Sequence, residues 1–221
     1  GRMGQQIIKS AKSDKNFKIV SLTENRKINR NIGGQIDYTY QIAEGANSDP
    51  TEEFGAVLAG NEPTRSMIPL DWDQTHNLNG TIFTSLRDWG ANLIFQFGSG
   101  YPYTPFITNY EQQGEILSNV LLRNSRRKSS TFRVDTKLFK NIKLGRYSGR
   151  VYINIYNLLD RRNENYVYAD SGTSDETIEE IRANIISPFE PLRPNTVDEF
   201  FDRPDWYDEP REIQLGFQFT W

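Results

Sequence analysis

The carboxyl-terminal stretch "REIQLGFQFTW", residues 211 to 221, sets Ile213, Leu215, Phe217, Phe219 and Trp221 in strict alternation with Glu212, Gln214, Gly216, Gln218 and Thr220. Successive side chains of a β-strand point to opposite faces, so the pattern describes a strand with one apolar and one polar environment. Chain ends fray unless something ties them down, and a two-faced strand running to the terminus needs neighbours. Two surroundings satisfy it. In a soluble sandwich the apolar face meets a protein core, and in a membrane barrel it meets lipid while the polar face lines a wet interior.

Working back along the chain, the alternation recurs. In "QIDYTYQI" (35–42), Ile36, Tyr38, Tyr40 and Ile42 oppose Gln35, Asp37, Thr39 and Gln41. In "NLNGTIFTSL" (77–86), Leu78, Ile82 and Leu86 oppose Asn77, Asn79 and Ser85; in "ANLIFQF" (91–97), Ala91, Leu93, Phe95 and Phe97 oppose Asn92 and Gln96. Phe83 and Ile94 break the pattern mildly. "FRVDTKLF" (132–139) and "RVYINIYN" (150–157) repeat it, and "FKIVSL" (17–22) and "NYVYA" (165–169) are weaker candidates. With the terminal strand this predicts eight strands, separated by turn signals such as "RDWG" and "NIKLGRYSG". Charges at strand centres suit a solvated sheet and a polar lumen equally. Length favours the barrel, because several strands run to the ~9 to 11 residues needed to cross lipid, beyond the soluble mode of ~5 to 6.

The chain has 221 residues and a net charge of −3, from 26 Lys plus Arg against 29 Asp plus Glu, which gives no electrostatic reason to expect a nucleic-acid partner. It has no Cys and a single His, His76, which argues against thiolate or His-based metal sites and against a Ser-His triad. No Gly-x-Ser-x-Gly elbow is present, so neither an enzyme nor a cofactor is expected. Mean hydropathy is −0.68, and no apolar run approaches the ~20 residues of a membrane helix. Barrel strands are half polar and escape that measure, whereas 11 Tyr and 4 Trp suit an aromatic girdle. Because no signal peptide precedes Met3, the chain reads as mature or as a fragment.

Two segments carry helix signals. In "SDPTEEFGAVLAG" (48–60), Asp49 is the expected cap, with Pro50 at the first position, Glu52 at the third and Gly60 as the stop. In "TSDETIEEIRANII" (173–186), Thr173 or Ser174 is the expected cap of a helix with Ile178, Ile181 and Ile185 on one stripe.

The stretches "GGQIDYTYQIAEGANSDP", "PLDWDQTHNLNGTI", "FGSGYPYTP", "FRVDTKLFK" and "VYINIYNLLDRRN", in this order and followed by an aromatic terminal strand, resemble the C-terminal part of the barrel of TonB-dependent outer-membrane receptors. The resemblance covers residues 17 to 221. It implies an antiparallel transmembrane β-barrel of about 22 strands, filled by an N-terminal plug, that takes up a scarce nutrient with energy relayed by TonB in a Gram-negative bacterium. Residues 1–221 hold no plug and only about eight strands, so the expectation is the C-terminal portion of such a barrel in the cell outer membrane. Its implied partners are outer-membrane lipid, an unidentified ligand, the TonB system through parts lying elsewhere, and other outer-membrane subunits. A complete small or structural barrel anchoring a surface complex, and a soluble carbohydrate-binding β-sandwich, are the alternatives. Placing Trp221 on the periplasmic side, a count of strands puts "NLLDRRN" at a periplasmic turn and residues 171 to 210 in an extracellular loop. It also puts segments 44 to 74 and 101 to 129 on the periplasmic side.

Phe217, Phe219 and Trp221 resemble the signal read by the barrel-assembly machinery. Trp72, Trp89, Tyr101, Tyr103 and Trp206 sit at expected strand ends, where amphipathic rings suit the headgroup zone; an aromatic at a sheet edge is also a sugar-stacking platform. Asp37, Arg133, Asp135, Lys137 and Arg150 are the expected lumen-facing charges. The acidic run 198–209 lacks the register of an EF-hand and reads as a solvated loop, with calcium as the alternative. Neither the basic cluster Arg123, Arg126, Arg127, Lys128 and Arg133 nor the group Asp71, Asp73 and His76 is assigned a function.

Overall fold

A computed structural model describes residues 6–14, 17–28, 31–49, 51–62, 66–106, 123–145, 147–186 and 196–220. Eight long strands run in an antiparallel meander. They are β1 (Gln6–Asp14), β2 (Phe17–Lys27), β3 (Ile32–Gly45), β5 (His76–Leu86), β6 (Trp89–Gly98), β9 (Thr131–Leu144), β10 (Tyr147–Tyr156) and β11 (Glu212–Thr220), each paired with the next in that order. Short strands decorate one end: β4 (Ile68–Pro69) pairs with the end of β3, and β7 (Pro102–Tyr103) pairs with β8 (Arg126–Arg127). Among the described residues, three short helices, α1 (Glu52–Leu58), α2 (Ile178–Ile186) and α3 (Val197–Phe201), lie in the connections. None of the described helices is long and apolar enough to cross a membrane.

The all-β antiparallel reading holds, and the eight long strands form one open sheet; no barrel closes among the described residues, since β1 and β11 each pair on one side. Nor is there among the described residues a second large sheet, which the sandwich alternative requires. Residues paired across antiparallel strands share a face, and the register carries the apolar stripe across the sheet. Leu215 opposes Ile153, which opposes Leu138, which opposes Ala91. Leu93 opposes Ile82, and Phe97 opposes Leu78, which opposes Tyr38. Phe83 and Ile94 lie on the other face, which explains why they interrupted the pattern. Two glycines serve close packing: Gly80 lies under the Phe95 ring and Gly90 under the Phe139 ring, where a Cβ would collide with the aromatic carbons.

The apolar stripe is not covered. Ala43, Ile68, Leu70 and Val134 are the buried apolar side chains among the described residues, while Leu215 is 78% exposed and Phe217 57%. The buried few sit mainly at the end that carries the short strands, where Leu70 donates its amide to the Ala43 carbonyl at 3.0 Å.

Most connections segregate by length; the exception is the two-residue step from β1 to β2, which lies at the end of the long connections. At one end, β2 and β3, β5 and β6, and β9 and β10 follow one another within two to four residues, with Arg87 at φ 44 and Gly145 at φ 65. At the other end lie the long segments 46–75, 99–130 and 157–211. This corrects the strand count made from sequence. "NYVYA" is not a strand; the one bridge nearby joins Glu164 to Tyr207. Removing that strand shifts "NLLDRRN" to the long-loop end, together with 171–210 and with segments 44–74 and 101–129, all opposite the end of β11. The eighth strand is instead β1, which carries no alternation clear enough to predict.

The helix starts also move. Thr51, not Asp49, precedes α1, and the Asp49 carboxylate accepts from the Thr51 amide at 2.7 Å; Pro50 lies outside the described residues. Thr173 and Ser174 do not cap α2. Asp170 does so, accepting from the Ile178 amide and the Thr177 hydroxyl, each at 2.7 Å.

Candidate functional site

The three long loops are stitched together by buried polar groups. Asp73 accepts from the Ala43 amide at 2.8 Å and pairs with Arg127, whose guanidinium also donates to the Asp73 carbonyl at 2.9 Å. Asn124 donates through its side chain to the Pro69 carbonyl at 2.8 Å and to the Asp71 carboxylate at 2.6 Å. Arg123 forks onto both carboxylate oxygens of Glu52 at 2.6 and 2.7 Å. The third loop joins through Phe106, whose amide donates to the Ala169 carbonyl at 2.8 Å, and through Lys128, whose ammonium donates to the Asn165 carbonyl at 2.6 Å.

Where these loops meet they line an open cleft of about 630 Å³, bordered by Trp72, Tyr101, Tyr103 and Tyr166 with Asp71 and Lys128. Tyr101 is held by its carbonyl, which accepts from the Lys128 amide at 2.9 Å, and Tyr103 by pairing with Arg126 in the β7–β8 ladder. The Lys128 ammonium stands 5.6 Å from the centre of the Tyr166 ring. Burial lowers the Lys128 pKa from its usual value, against the pull of Glu164.

The sequence-derived candidates distribute as follows. Trp72, Tyr101 and Tyr103 come together at this cleft, whereas Trp89 stands alone at the tight-turn end with the Lys140 ammonium 4.6 Å from its ring. Trp206 packs on Tyr168, with ring centres 4.5 Å apart. Asp37, Arg133, Asp135, Lys137 and Arg150 share the polar face of the sheet. There Arg133 donates to Asp135 at 3.0 Å, Arg150 donates to Asn141 at 2.8 Å, and Lys137 lies 4.7 Å from the Tyr152 ring centre. Phe217 and Phe219 lie on the apolar face with ring centres 6.3 Å apart; Trp221 lies outside the described residues.

The basic cluster is dispersed to separate partners, with Arg123 on Glu52, Arg127 on Asp73 and Arg133 on Asp135. Asp71, Asp73 and His76 likewise do separate work, His76 through its Nδ1 contact with the Tyr38 hydroxyl at 2.8 Å. In the acidic run, Glu199 closes a capping box with Thr196 at the start of α3. Among the described residues no three His or carboxylate groups stand close enough to hold a metal ion.

No known protein family matches the chain, and no solved structure does. A stretch of 34 residues is 62% identical to the 4-hydroxy-tetrahydrodipicolinate reductase of Pelagibacter ubique (strain HTCC1062), covering 15% of this chain and 13% of that protein. The chain therefore spans a small fraction of that relative's length, and so short a likeness carries neither its fold nor its activity.

Lys128 and Tyr166 escaped the sequence reading. Tyr166 lies in a stretch read as a strand, and Lys128 was one of five neighbouring cations with nothing to separate it from the rest.

Proposed function

We propose that the chain is the C-terminal segment of an outer-membrane β-barrel of the receptor/transporter type, which takes part in TonB-dependent uptake of a nutrient and binds its substrate without converting it. One observation carries this reading: an apolar stripe runs across the six strands β3, β5, β6, β9, β10 and β11, each of 9 to 14 residues, and is left uncovered by the described chain. In water a patch of that extent is an association or aggregation surface, whereas against hydrocarbon it is the stabilising face. Strands of these lengths reach the ~9 to 11 residues that a tilted crossing needs. Apart from the β1–β2 step, short connections gather at one end and long ones at the other, which supports a division between periplasmic turns and extracellular loops with the end of β11 periplasmic.

In this reading Ile82, Leu138, Ile153 and Leu215 face lipid. Asp37, Arg133, Asp135, Lys137 and Arg150 face the barrel interior, and the stitched loops form the outer rim. The open edges of β1 and β11 are where further strands join, and the plug and TonB contact belong to parts lying elsewhere. The test is fractionation of cells expressing the whole protein. Recovery in outer membranes, with a band that stays folded in cold SDS and shifts on boiling, is the expected result. Recovery in the soluble fraction would overturn the reading.

A further inference from the structure

On the apolar face of the sheet, one cross-strand row runs Leu86, Trp89, Lys140, Val151, Phe217, at the end where β5 turns into β6 through Arg87 and Asp88. The next row inward, Thr84, Ala91, Leu138, Ile153 and Leu215, carries no charge. Across β5, β6, β9, β10 and β11, Lys140 is the one Lys, Arg, Asp or Glu that the described residues put on this face. Its ammonium stands 4.6 Å from the centre of the Trp89 ring, and no carboxylate among the described residues pairs with it. A ring beneath an ammonium orients it without neutralising it. Within three residues along the chain from any member of the row, the other charges are Arg87, Lys137, Lys143 and Arg150 against Asp88 alone, so the surroundings are short of negative charge. A cation on a hydrocarbon-facing stripe lays its stem along apolar surface and turns its head to the headgroup zone.

We infer that Lys140 and Trp89 seat the headgroup of an anionic phospholipid of the phosphatidylglycerol class, with its phosphate on the Lys140 ammonium and an acyl chain running inward along Leu138 and Leu215. The inference rests on the proposed barrel for the bilayer against this face, and it adds a lipid class and the place that selects it. Phosphate oxygens accept charge-assisted hydrogen bonds from an ammonium. An ethanolamine or choline headgroup would bring a second cation beside Lys140, whereas a glycerol headgroup leaves its net negative charge where the protein has a surplus of positive charge. The acyl chain meets surface that is already exposed, from Leu86, Leu138, Leu215 and Phe217.

The experiment is calorimetric titration of the whole protein in dodecyl maltoside, each variant first shown to keep its heat-modifiable band so that misfolding is separated from absence of binding. The probes are dihexanoyl phosphatidylglycerol, dihexanoyl phosphatidylcholine and inorganic phosphate. Phosphatidylglycerol binds about tenfold tighter than phosphatidylcholine, and about tenfold tighter than inorganic phosphate, which lacks the chains. Lys140→Gln brings phosphatidylglycerol to within about threefold of phosphatidylcholine, and Trp89→Ala weakens it about threefold. Lys143→Gln, which removes a cation from the opposite face, leaves it unchanged. Equal binding of the two lipids, inorganic phosphate binding as tightly as phosphatidylglycerol, parent-like binding in Lys140→Gln or Trp89→Ala, or an equal loss in Lys143→Gln would each overturn the inference. Loss of the heat-modifiable band in the parent would remove the barrel and this inference with it, whereas the lipid outcomes leave the barrel standing.

Discussion

Asp73 and Arg127 form an ion pair across two loops that are 54 residues apart in sequence, and the carboxylate end of it is 2% exposed. The pair does more than join charges, because the second carboxylate oxygen of Asp73 receives the Ala43 amide at the end of β3. Removing the carboxylate strands a buried amide and a guanidinium at once. Asp73→Ala is expected to cost about 2 kcal/mol of local stability, the range for hydrogen bonds to charged groups. Hydrogen exchange at the Ala43 amide reads it directly, as a rate increase of roughly 30-fold.

Asn157 is the corresponding lock on the third loop. It sits 2% exposed at φ 49, donating through its side chain to the carbonyls of Arg161 and Glu209 at 3.0 Å each, and accepting from the Arg161 amide at 3.1 Å. Asn157→Asp keeps the shape and replaces the two donated bonds by a carboxylate facing two carbonyls. The expected loss is about 2 to 4 kcal/mol at neutral pH, seen as early proteolysis within 157–211 while strand resistance is retained.

Tyr207 gives the long loops a marked alkaline limit. Burial, the hydrogen bond it donates to Asp175 and the Asp175 charge push its pKa up to about 12, above an ordinary value near 10. A phenol harder to ionise in the folded loop than in the unfolded one stabilises the fold fully below pH ~10, and that contribution disappears as pH rises through ~12. Ultraviolet titration should show one tyrosine ionising late and disappearing from the late phase in Tyr207→Phe. A variant with the same late phase would reassign it.

The strands were legible because a period of two survives local irregularity. Ile36, Leu93, Ile153 and Leu215 lie on one face as the alternation required, and the break at Phe83 and Ile94 marked real residues on the opposite face. "NYVYA" misled because Tyr and Val carry strand propensity wherever they stand. Its tyrosines serve the loop instead, with Tyr166 at the cleft and Tyr168 against Trp206. One false strand was enough to invert the end at which the loops emerge, since parity propagates along a meander. The candidate site was half legible. Aromatic residues at strand ends marked Trp72, Tyr101 and Tyr103, but their convergence depends on Asp73, Asn124 and Arg127, whose partners lie 53 to 55 residues away in sequence. The helix caps were misplaced for a similar reason, because Asp170 reaches α2 from eight residues upstream of Ile178.

The lipid-facing assignment makes opposite demands on adjacent residues of β11. Leu215 projects from the apolar face opposite Ile153, and Gln214 projects from the polar face opposite Asn154. If hydrocarbon covers the first face, Leu215→Arg places a guanidinium near the middle of a nine-residue crossing, at a cost of about 2 to 4 kcal/mol. Gln214→Arg puts the same group where water and neighbouring polar side chains receive it, a change within about 0.5 kcal/mol. A free edge in water predicts the reverse ranking, because Leu215, already 78% exposed, would gain solubility from a charge. Folding yield into lipid vesicles, measured for both variants beside the parent, decides between them. A sharp loss for Leu215→Arg with Gln214→Arg unchanged is expected, and equal yields would remove the bilayer from the explanation of the stripe.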